Sequence, residues 1–174
     1  DAMPGMGGCD AWMIDGDHNY YTVLHELKIA DALSRRDGRP LLAFLHDVGW
    51  PCGRRDFYYA PERIPEDWRQ PHRFDVGVTI DMPGVRRNRG LRGEGGFAVA
   101  LFEGGPHNGV LTAVEDFLDH ARTPERPLAF AMVPLVLGLG VVFDASVNWA
   151  PELAEMLRPW HDHRRLAAVE HNRL

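Results

Sequence analysis

Two short polar clusters carry the residue types in this chain that could do chemistry. One begins at Asp15, directly after the apolar run 11–14, and the other is His46 with Asp47, directly after the apolar run 41–45. Carboxylates and imidazoles are the side chains that bind divalent cations and move protons near neutral pH. The sequence therefore offers one candidate site, assembled from two segments.

The segments around these clusters predict a strand, a helix and a second strand. Apolar residues recur at steps of three and four over residues 19–36, which indicates an amphipathic helix. The run 41–45 is continuously apolar, which is typical of a strand buried on both faces of a parallel sheet. Ligands of such sheets bind outside the carboxyl ends of the strands. We therefore expect Asp15 and Asp47 to lie at one edge of an α/β sheet.

Two carboxylates and an imidazole at one sheet edge could bind a divalent cation or activate a hydroxyl group. Gly16 would let a ligand approach the main chain closely. The alternative is that Asp15 and Asp47 only cap the segments that follow them, as aspartate often does.

Residues 48–96 predict an irregular, lid-like insertion, because glycine and proline are densest there. Trp50, Arg54, Arg55 and Tyr58 directly follow the second polar cluster, so they are candidate substrate contacts that overhang the site. The alternative is that the aromatic side chains form local core and the arginines pair with nearby acidic residues.

The remaining pattern predicts a single domain that ends in a hairpin and a helix. In chain order we expect a short strand in 97–102, a helix over 108–121, two hairpin strands at 128–133 and 139–143, a terminal helix that starts over 151–158, and 161–174 continuing as helix.

Composition excludes several classes of protein. The net charge of −6 does not favour nucleic-acid binding, and 45% hydrophobic residues exclude a disordered chain. The longest apolar run, 128–143, is interrupted by one proline and two glycines, which excludes a membrane span. Cys9 and Cys52 are too few for a disulfide framework or a four-cysteine zinc site, and Cys52 lacks an activating neighbour. We expect a cytoplasmic protein with a small-molecule substrate, no nucleic-acid or membrane partner, and self-association as an open question.

The two clusters and their order resemble class I S-adenosylmethionine-dependent methyltransferases. The residues that carry the resemblance are Asp-Gly-Asp-His-Asn-Tyr at 15–20 and Leu-His-Asp-Val-Gly-Trp at 45–50. The resemblance implies that strands 11–14 and 41–45 are the fourth and fifth of a Rossmann-like, seven-stranded sheet that ends in an antiparallel hairpin. It covers most of the chain outside 51–95 and implies the second half of that sheet.

This resemblance implies methyl transfer from S-adenosylmethionine to a hydroxyl of a small molecule, such as a natural product or a sugar. Similar metal-dependent sugar O-methyltransferases imply Mg²⁺ at Asp15, His46 and Asp47, His18 as the general base, and Asp15 with Gly16 beside the cofactor. Imidazole suits a base because its ordinary pKa of about 6.5 lies near working pH. Those relatives have an acidic residue where His46 stands, and imidazole suits zinc, iron or nickel better than magnesium.

The chain departs from the family in its glycine-rich loop. Residues 5–8 and 93–96 are glycine-rich, but neither run follows a strand as the cofactor loop of the family does. We expect that loop, and the acidic residue that holds the ribose, upstream of Asp1. The chain then looks like the C-terminal half of a methyltransferase, with the strand 11–14 as an exposed edge through which it associates.

Two other functions stay open. One is a non-catalytic α/β module that keeps this half of the fold for dimerisation or interaction. The other is a metal-dependent enzyme of another class, such as a hydroxylase relative. The second is the weaker of the two, because the sequence shows no two-histidine, one-carboxylate triad with a well-defined spacing.

Overall fold

The computed structural model describes residues 5–92 and 95–174; the glycine-rich run 93–96 therefore falls partly outside the described residues. The elements in chain order are β1 (Trp12–Ile14), α1 (Tyr20–Arg36), β2 (Leu42–Leu45), β3 (Phe57–Tyr58), β4 (His72–Arg73), β5 (Val76–Thr79), β6 (Met82–Arg87), β7 (Ala98–Ala100), α2 (Val110–Ala121), β8 (Leu128–Val133), β9 (Leu139–Asp144), α3 (Ala150–Leu157) and α4 (Arg164–Arg173).

The main sheet has four strands in the order β1-β2-β9-β8. β1 and β2 are parallel, with Ile14 opposite Leu45, and α1 connects them. β9 runs antiparallel to both β2 and β8, so the predicted hairpin is confirmed. The chain therefore has a mixed α/β fold, and the polar residues that follow β1 and β2 lie at the same edge of the sheet.

Helices cover both faces of this sheet. On one face, Leu27 of α1 and Phe117 of α2 belong to a continuous core with the inward residues of β1 and β2. On the other face, Val141 and Phe143 of β9 pack with Ala150 of α3. Removal of these apolar surfaces from water is the main term that holds the three layers together. The layers leave the carboxyl ends of β1 and β2 open for a site.

The segment predicted to be irregular contains short strands. β3, β7 and β4 form a three-stranded sheet in that order, and β5 pairs with β6. β7 is buried throughout and lies within the predicted strand segment 97–102. Prolines exclude a long helix here, as expected, but they leave extended stretches whose backbone groups pair with one another.

Both terminal segments predicted to be helical are helical, and the structure divides them into two separate helices. α3 ends at Leu157. Pro159, which has no N–H group to donate to a preceding turn, follows two residues later. α4 begins after His163, whose ring nitrogen accepts from the backbone N–H of Leu166 at 3.3 Å as the N-cap. Within residues 5–92 and 95–174, no helix combines the length and the apolar character that crossing a membrane requires.

Candidate functional site

The side chains of the two polar clusters meet at the carboxyl ends of β1 and β2. Oδ2 of Asp47 lies 3.0 Å from Nδ1 of His46 and 3.1 Å from Nε2 of His18. Oδ1 of Asp15 lies 3.5 Å from the same His46 nitrogen and 3.9 Å from the same His18 nitrogen. Two carboxylates and two imidazoles therefore form one cluster around Asp47.

The main chain at Asp47 has an uncommon conformation. Its φ is 61°, in the left-handed region that residues other than glycine adopt at a cost. The side chain is only 2% exposed. The backbone N–H of Gly49, two residues later, donates to the carbonyl oxygen of Leu137 at 2.7 Å and holds the turn against the β8–β9 loop. This turn is what directs the carboxylate of Asp47 toward the histidines.

His18 lies directly before the N-cap of α1 and does not itself cap the helix. Asn19 is the N-cap instead, and its side-chain oxygen accepts from the backbone N–H of Thr22 at 2.9 Å. The carboxylate of Asp17 accepts from the backbone N–H of His18 at 3.0 Å and from that of Tyr59 at 3.4 Å. Burial raises the pKa of Asp17, whose role is to fix this turn.

The imidazole of His18 is held between aromatic rings. The ring of Tyr59 stands edge-on to it with centroids 5.7 Å apart, and the ring of Phe97 lies 5.9 Å away. The Nε2 of His18 faces Asp47, 3.1 Å from Oδ2 of that carboxylate. The aromatic contacts fix the direction in which this nitrogen points.

The cluster forms one wall of a cavity of about 430 Å³, which lies in the size range of ligand pockets. The other wall is mostly apolar and is formed by Pro51, Cys52, Phe57, Tyr59, Leu91, Phe97 and Leu137. Sequence reasoning did not assign Tyr59, Phe97, Leu91 or Leu137 to the site. The aromatic run around Tyr59 could have indicated its place, whereas a lone leucine carries no such signal.

The donor set fits a divalent cation. The ligand atoms of Asp15, His46 and Asp47 all lie within 4.8 Å of one another. Oδ1 of Asp47 is buried and has no hydrogen-bond partner in the described part of the chain. A buried oxygen without a partner is costly, and a cation would satisfy it. Carboxylates suit magnesium or manganese and imidazole suits zinc or iron, so the donor set alone does not select one metal.

Cys52 belongs to a second group of potential ligand atoms with His18 and Asp47. Burial raises the pKa of its thiol well above the ordinary value, and the negative charge of Asp47 adds to this effect. A protonated thiol is neither a nucleophile nor a ready metal ligand. Cys52 therefore contributes packing at the cavity wall, in agreement with the absence of an activating motif in the sequence.

The arginines proposed as substrate contacts form internal contacts instead. Arg54 pairs with Glu115 of α2 through two bonds of 2.5 and 2.6 Å. Arg55 is buried, and its guanidinium donates to the carbonyl oxygen of Ala100 at 2.6 Å. Neither lines the cavity. These contacts correct the predicted overhang, because each guanidinium is satisfied by a partner distant in sequence.

The two aromatic candidates also lie elsewhere. Tyr58 is fully buried, and its hydroxyl donates to Asp56 at 2.7 Å and accepts from the backbone N–H of Gln70 at 2.9 Å. Trp50 is half-buried and lines a different cavity, beneath α4, with Leu174. The structure therefore brings together Asp15, His18, His46 and Asp47, and none of the four predicted substrate contacts lines their cavity.

The residues implied for the cofactor lie beside an open groove. Asp15 and Gly16 line a cavity of about 300 Å³ along the free side of β1, together with Glu26. Burial raises the pKa of Glu26, and the charge of Asp17 adds to it. In the described residues the loop 101–109, with Gly104, Gly105 and Gly109, follows the short strand β7, which belongs to the three-stranded sheet and not to the main sheet. The cofactor role of Asp15 and Gly16 stays a prediction.

Comparison of the chain with protein-family models, with curated proteins and with solved structures finds no match. Three ionisable side chains, of Asp15, His18 and His46, surround the buried Asp47 in a ligand-sized cavity with an aromatic wall. Such clusters are typical of catalytic and metal-binding pockets.

Proposed function

We propose that this chain forms the acceptor side of an S-adenosylmethionine-dependent methyltransferase that acts, with a divalent cation, on a hydroxyl of a small molecule. The observation that carries the proposal is the meeting of Asp15, His18, His46 and Asp47 at the ends of two neighbouring parallel strands. The antiparallel hairpin β8–β9, which completes the sheet on the other side of β2, is the arrangement that the resemblance implies.

Asp15, His46 and Asp47 are the residues that would hold the cation. The unpartnered buried oxygen of Asp47 supports this assignment, because its carboxylate has unused capacity to accept. A bound cation supplies Lewis acidity, which lowers the pKa of a hydroxyl or water beside it. Asp15 is half-exposed and His46 is one-third exposed, so both can adjust their side chains to a ligand.

His18 is the residue that would take the proton of the acceptor hydroxyl. Its Nε2 borders the cavity within reach of Asp47, and its ring is fixed by Tyr59 and Phe97. S-adenosylmethionine supplies the methyl group as an electrophile. A hydroxyl is a weak nucleophile until its proton leaves, so a base at this position promotes the transfer. The apolar wall packs against the rest of the acceptor and excludes water.

The test is methyl transfer by the full-length protein that contains this chain, assayed with labelled S-adenosylmethionine and a panel of hydroxylated small molecules. We expect activity that a chelator removes and Mg²⁺ or Mn²⁺ restores. Asp47→Asn should lower the rate by about 100-fold or more, because even groups that only orient metal ligands cost about 10- to 100-fold. Asp119→Asn, at an exposed position of α2, is the matched control. Activity that survives both chelation and Asp47→Asn contradicts the metal-assisted reaction.

A non-catalytic interaction module is the second candidate. The observation that favours it is the free side of β1, where Met13 is 72% exposed. Equilibrium dialysis of the full-length protein with S-adenosylmethionine separates the two. Cofactor binding supports the enzyme, whereas its absence together with stable self-association supports the module.

A further inference from the structure

A carboxylate on the last helix reaches into the β8–β9 loop. Glu170 of α4 is 8% exposed, and its Oε1 accepts from the backbone N–H of Leu137 at 2.7 Å. The backbone N–H of Val136 also lies close enough to lower the pKa of this carboxylate. Arg173 completes the arrangement with two bonds of 2.6 and 2.8 Å. The pairing with Arg173 and the backbone donors lower the pKa of Glu170 to about 2, so the carboxylate is ionised.

The loop that Glu170 binds has a strained main chain. Val136, Leu137 and Gly138 have φ values of 52°, 63° and 88°. The left-handed region is costly for residues with a Cβ, and most of all for a β-branched one such as valine. Successive backbone N–H groups in such turns converge on an anion. Glu170 supplies that anion from within the chain and thereby stabilises the strained loop.

The same loop touches the turn that carries Asp47. The carbonyl oxygen of Leu137 accepts from the N–H of Gly49 at 2.7 Å. A Cβ on Gly49 would come within 2.7 Å of that oxygen, and one on Gly138 within 2.4 Å of the Gly49 nitrogen. The two main chains are therefore in direct contact, a closeness that only glycine permits. A continuous path of contacts leads from Glu170 through Leu137 to Gly49, two residues after Asp47.

We propose that Glu170 is a positioning residue, which holds the turn of Asp47 through the loop 136–138 and so sets the geometry of the cation cluster. The loop also contributes Leu137 to the cavity wall, so its position affects the shape of the site. The catalytic consequence rests on the proposed function. The link between α4 and the turn does not, and it can be measured separately.

The test measures amide hydrogen exchange by NMR and Mn²⁺ affinity by electron paramagnetic resonance in the full-length protein. In Glu170→Ala we expect exchange at Gly49 and Leu137 to accelerate by roughly ten-fold or more, because a hydrogen bond that holds them is lost. Val142, in the centre of the sheet, should be unchanged. The Mn²⁺ dissociation constant should rise by about 10-fold. Glu170→Gln keeps one oxygen acceptor, so its exchange rates and Mn²⁺ affinity should lie between those of Glu170→Ala and those of the wild type.

Glu155→Ala is the matched control, because Glu155 pairs with Arg158 at 2.6 Å on the exposed surface of α3 and binds no loop amide. It should leave exchange and Mn²⁺ affinity unchanged. Unchanged exchange at Gly49 in folded Glu170→Ala overturns the proposal. If Glu170→Ala also exposes Val142, Glu170→Gln decides by the same criterion. A wild-type protein that binds no Mn²⁺ contradicts the proposed function, and the exchange at Gly49 still decides whether Glu170 holds the turn.

Discussion

His18 combines the features that a base for a hydroxyl needs. Its turn is fixed by Asp17, its ring is fixed by two aromatic neighbours, and its Nε2 points into a cavity beside Asp47. A cation bound at Asp47 would compete for the carboxylate oxygen that this nitrogen contacts. Cation binding and the availability of the His18 lone pair are therefore coupled through one oxygen atom.

The first prediction concerns the pH dependence of the rate. A base acts only when deprotonated, so the wild-type rate should rise with pH as the base loses its proton. His18→Ala should lose that rise and lower kcat by about 100-fold or more. His120→Ala, at an exposed position of α2, is the control. Retention of both the rate and the pH profile in His18→Ala would show that another group takes the proton.

Cys52 gives a second prediction, which separates packing from chemistry. Burial raises the pKa of its thiol, whereas Cys9 lies half-exposed near the start of the described chain. Iodoacetamide reacts with thiolates that it can reach. Mass spectrometry at pH 8 should find Cys9 modified while Cys52 remains intact in the folded protein and reacts after urea unfolding. Rapid modification of native Cys52 would contradict its assignment to the cavity wall.

At the scale of the elements, Asp56 joins the two helices that cover one face of the sheet. Its Oδ1 accepts from the backbone N–H of Tyr20, at the start of α1, and from that of Gly109, at the start of α2, each at 2.7 Å. Its Oδ2 accepts from the hydroxyl of Tyr58. The amino ends of helices carry unpaired N–H groups that favour an acceptor. Asp56 therefore fixes α1, and with it the His18 turn, against α2.

The third prediction is the effect of Asp56 on stability. Asp56→Ala leaves three buried donors without their acceptor, so the free energy of unfolding should fall by about 3 kcal/mol or more. Asp119→Ala, on the exposed face of α2, should change it little. Urea unfolding at pH 7 measures both variants. A loss in Asp56→Ala no larger than that of the control would mean that water replaces the carboxylate.

The raised pKa of Asp56 also predicts that the stability of the protein depends on pH. Burial raises its pKa from 3.8 to about 6, although its donors act in the opposite direction. Between these values the folded protein binds a proton that the unfolded chain has released, so the contribution of Asp56 to stability falls as pH rises. Asp56→Asn lacks this titration. The stability of the wild type relative to Asp56→Asn should therefore be greater at pH 4.5 than at pH 7.

Local patterns were sufficient to predict the long elements. The apolar periodicity of residues 19–36 and the continuous run 41–45 depend only on neighbours in sequence, and both elements form as expected. Because β1 and β2 are parallel and adjacent, the polar residues after them could be placed together without further information. The central part of the candidate site was therefore predictable.

The surroundings of the site were not predictable, because they depend on contacts between distant segments. β3 and β4 are two residues long and are defined only by their pairing with β7. Arg54 could face the cavity or α2, and its choice depends on Glu115. Glu170 of α4 accepts from the backbone N–H of Leu137, which lies 33 residues earlier in the β8–β9 loop. No spacing rule relates two such positions.

At the scale of the whole molecule, the main sheet has one free side. In the described ranges, β1 pairs with β2 alone. The carbonyl oxygen of Ile14 accepts from the N–H of His46 at 3.1 Å, so the backbone of Ile14 faces β2. Alternate residues of a strand direct their backbone groups to opposite sides, so those of Met13 face outward. The side chain of Met13 is 72% exposed.

The last prediction follows from this edge. An unpaired strand edge with an apolar side chain is a template for another strand, so the 174-residue chain should self-associate at micromolar concentration. Met13→Pro removes a backbone N–H that pairs with no other strand in the described residues, and proline is tolerated at such edge positions. It should shift the chain toward monomer in sedimentation velocity without lowering its resistance to urea. Met156→Lys, which removes a comparably exposed methionine from α3, should leave the association unchanged. A wild-type chain that stays monomeric, or one whose association responds to Met156→Lys and not to Met13→Pro, would show that β1 is not the associating edge.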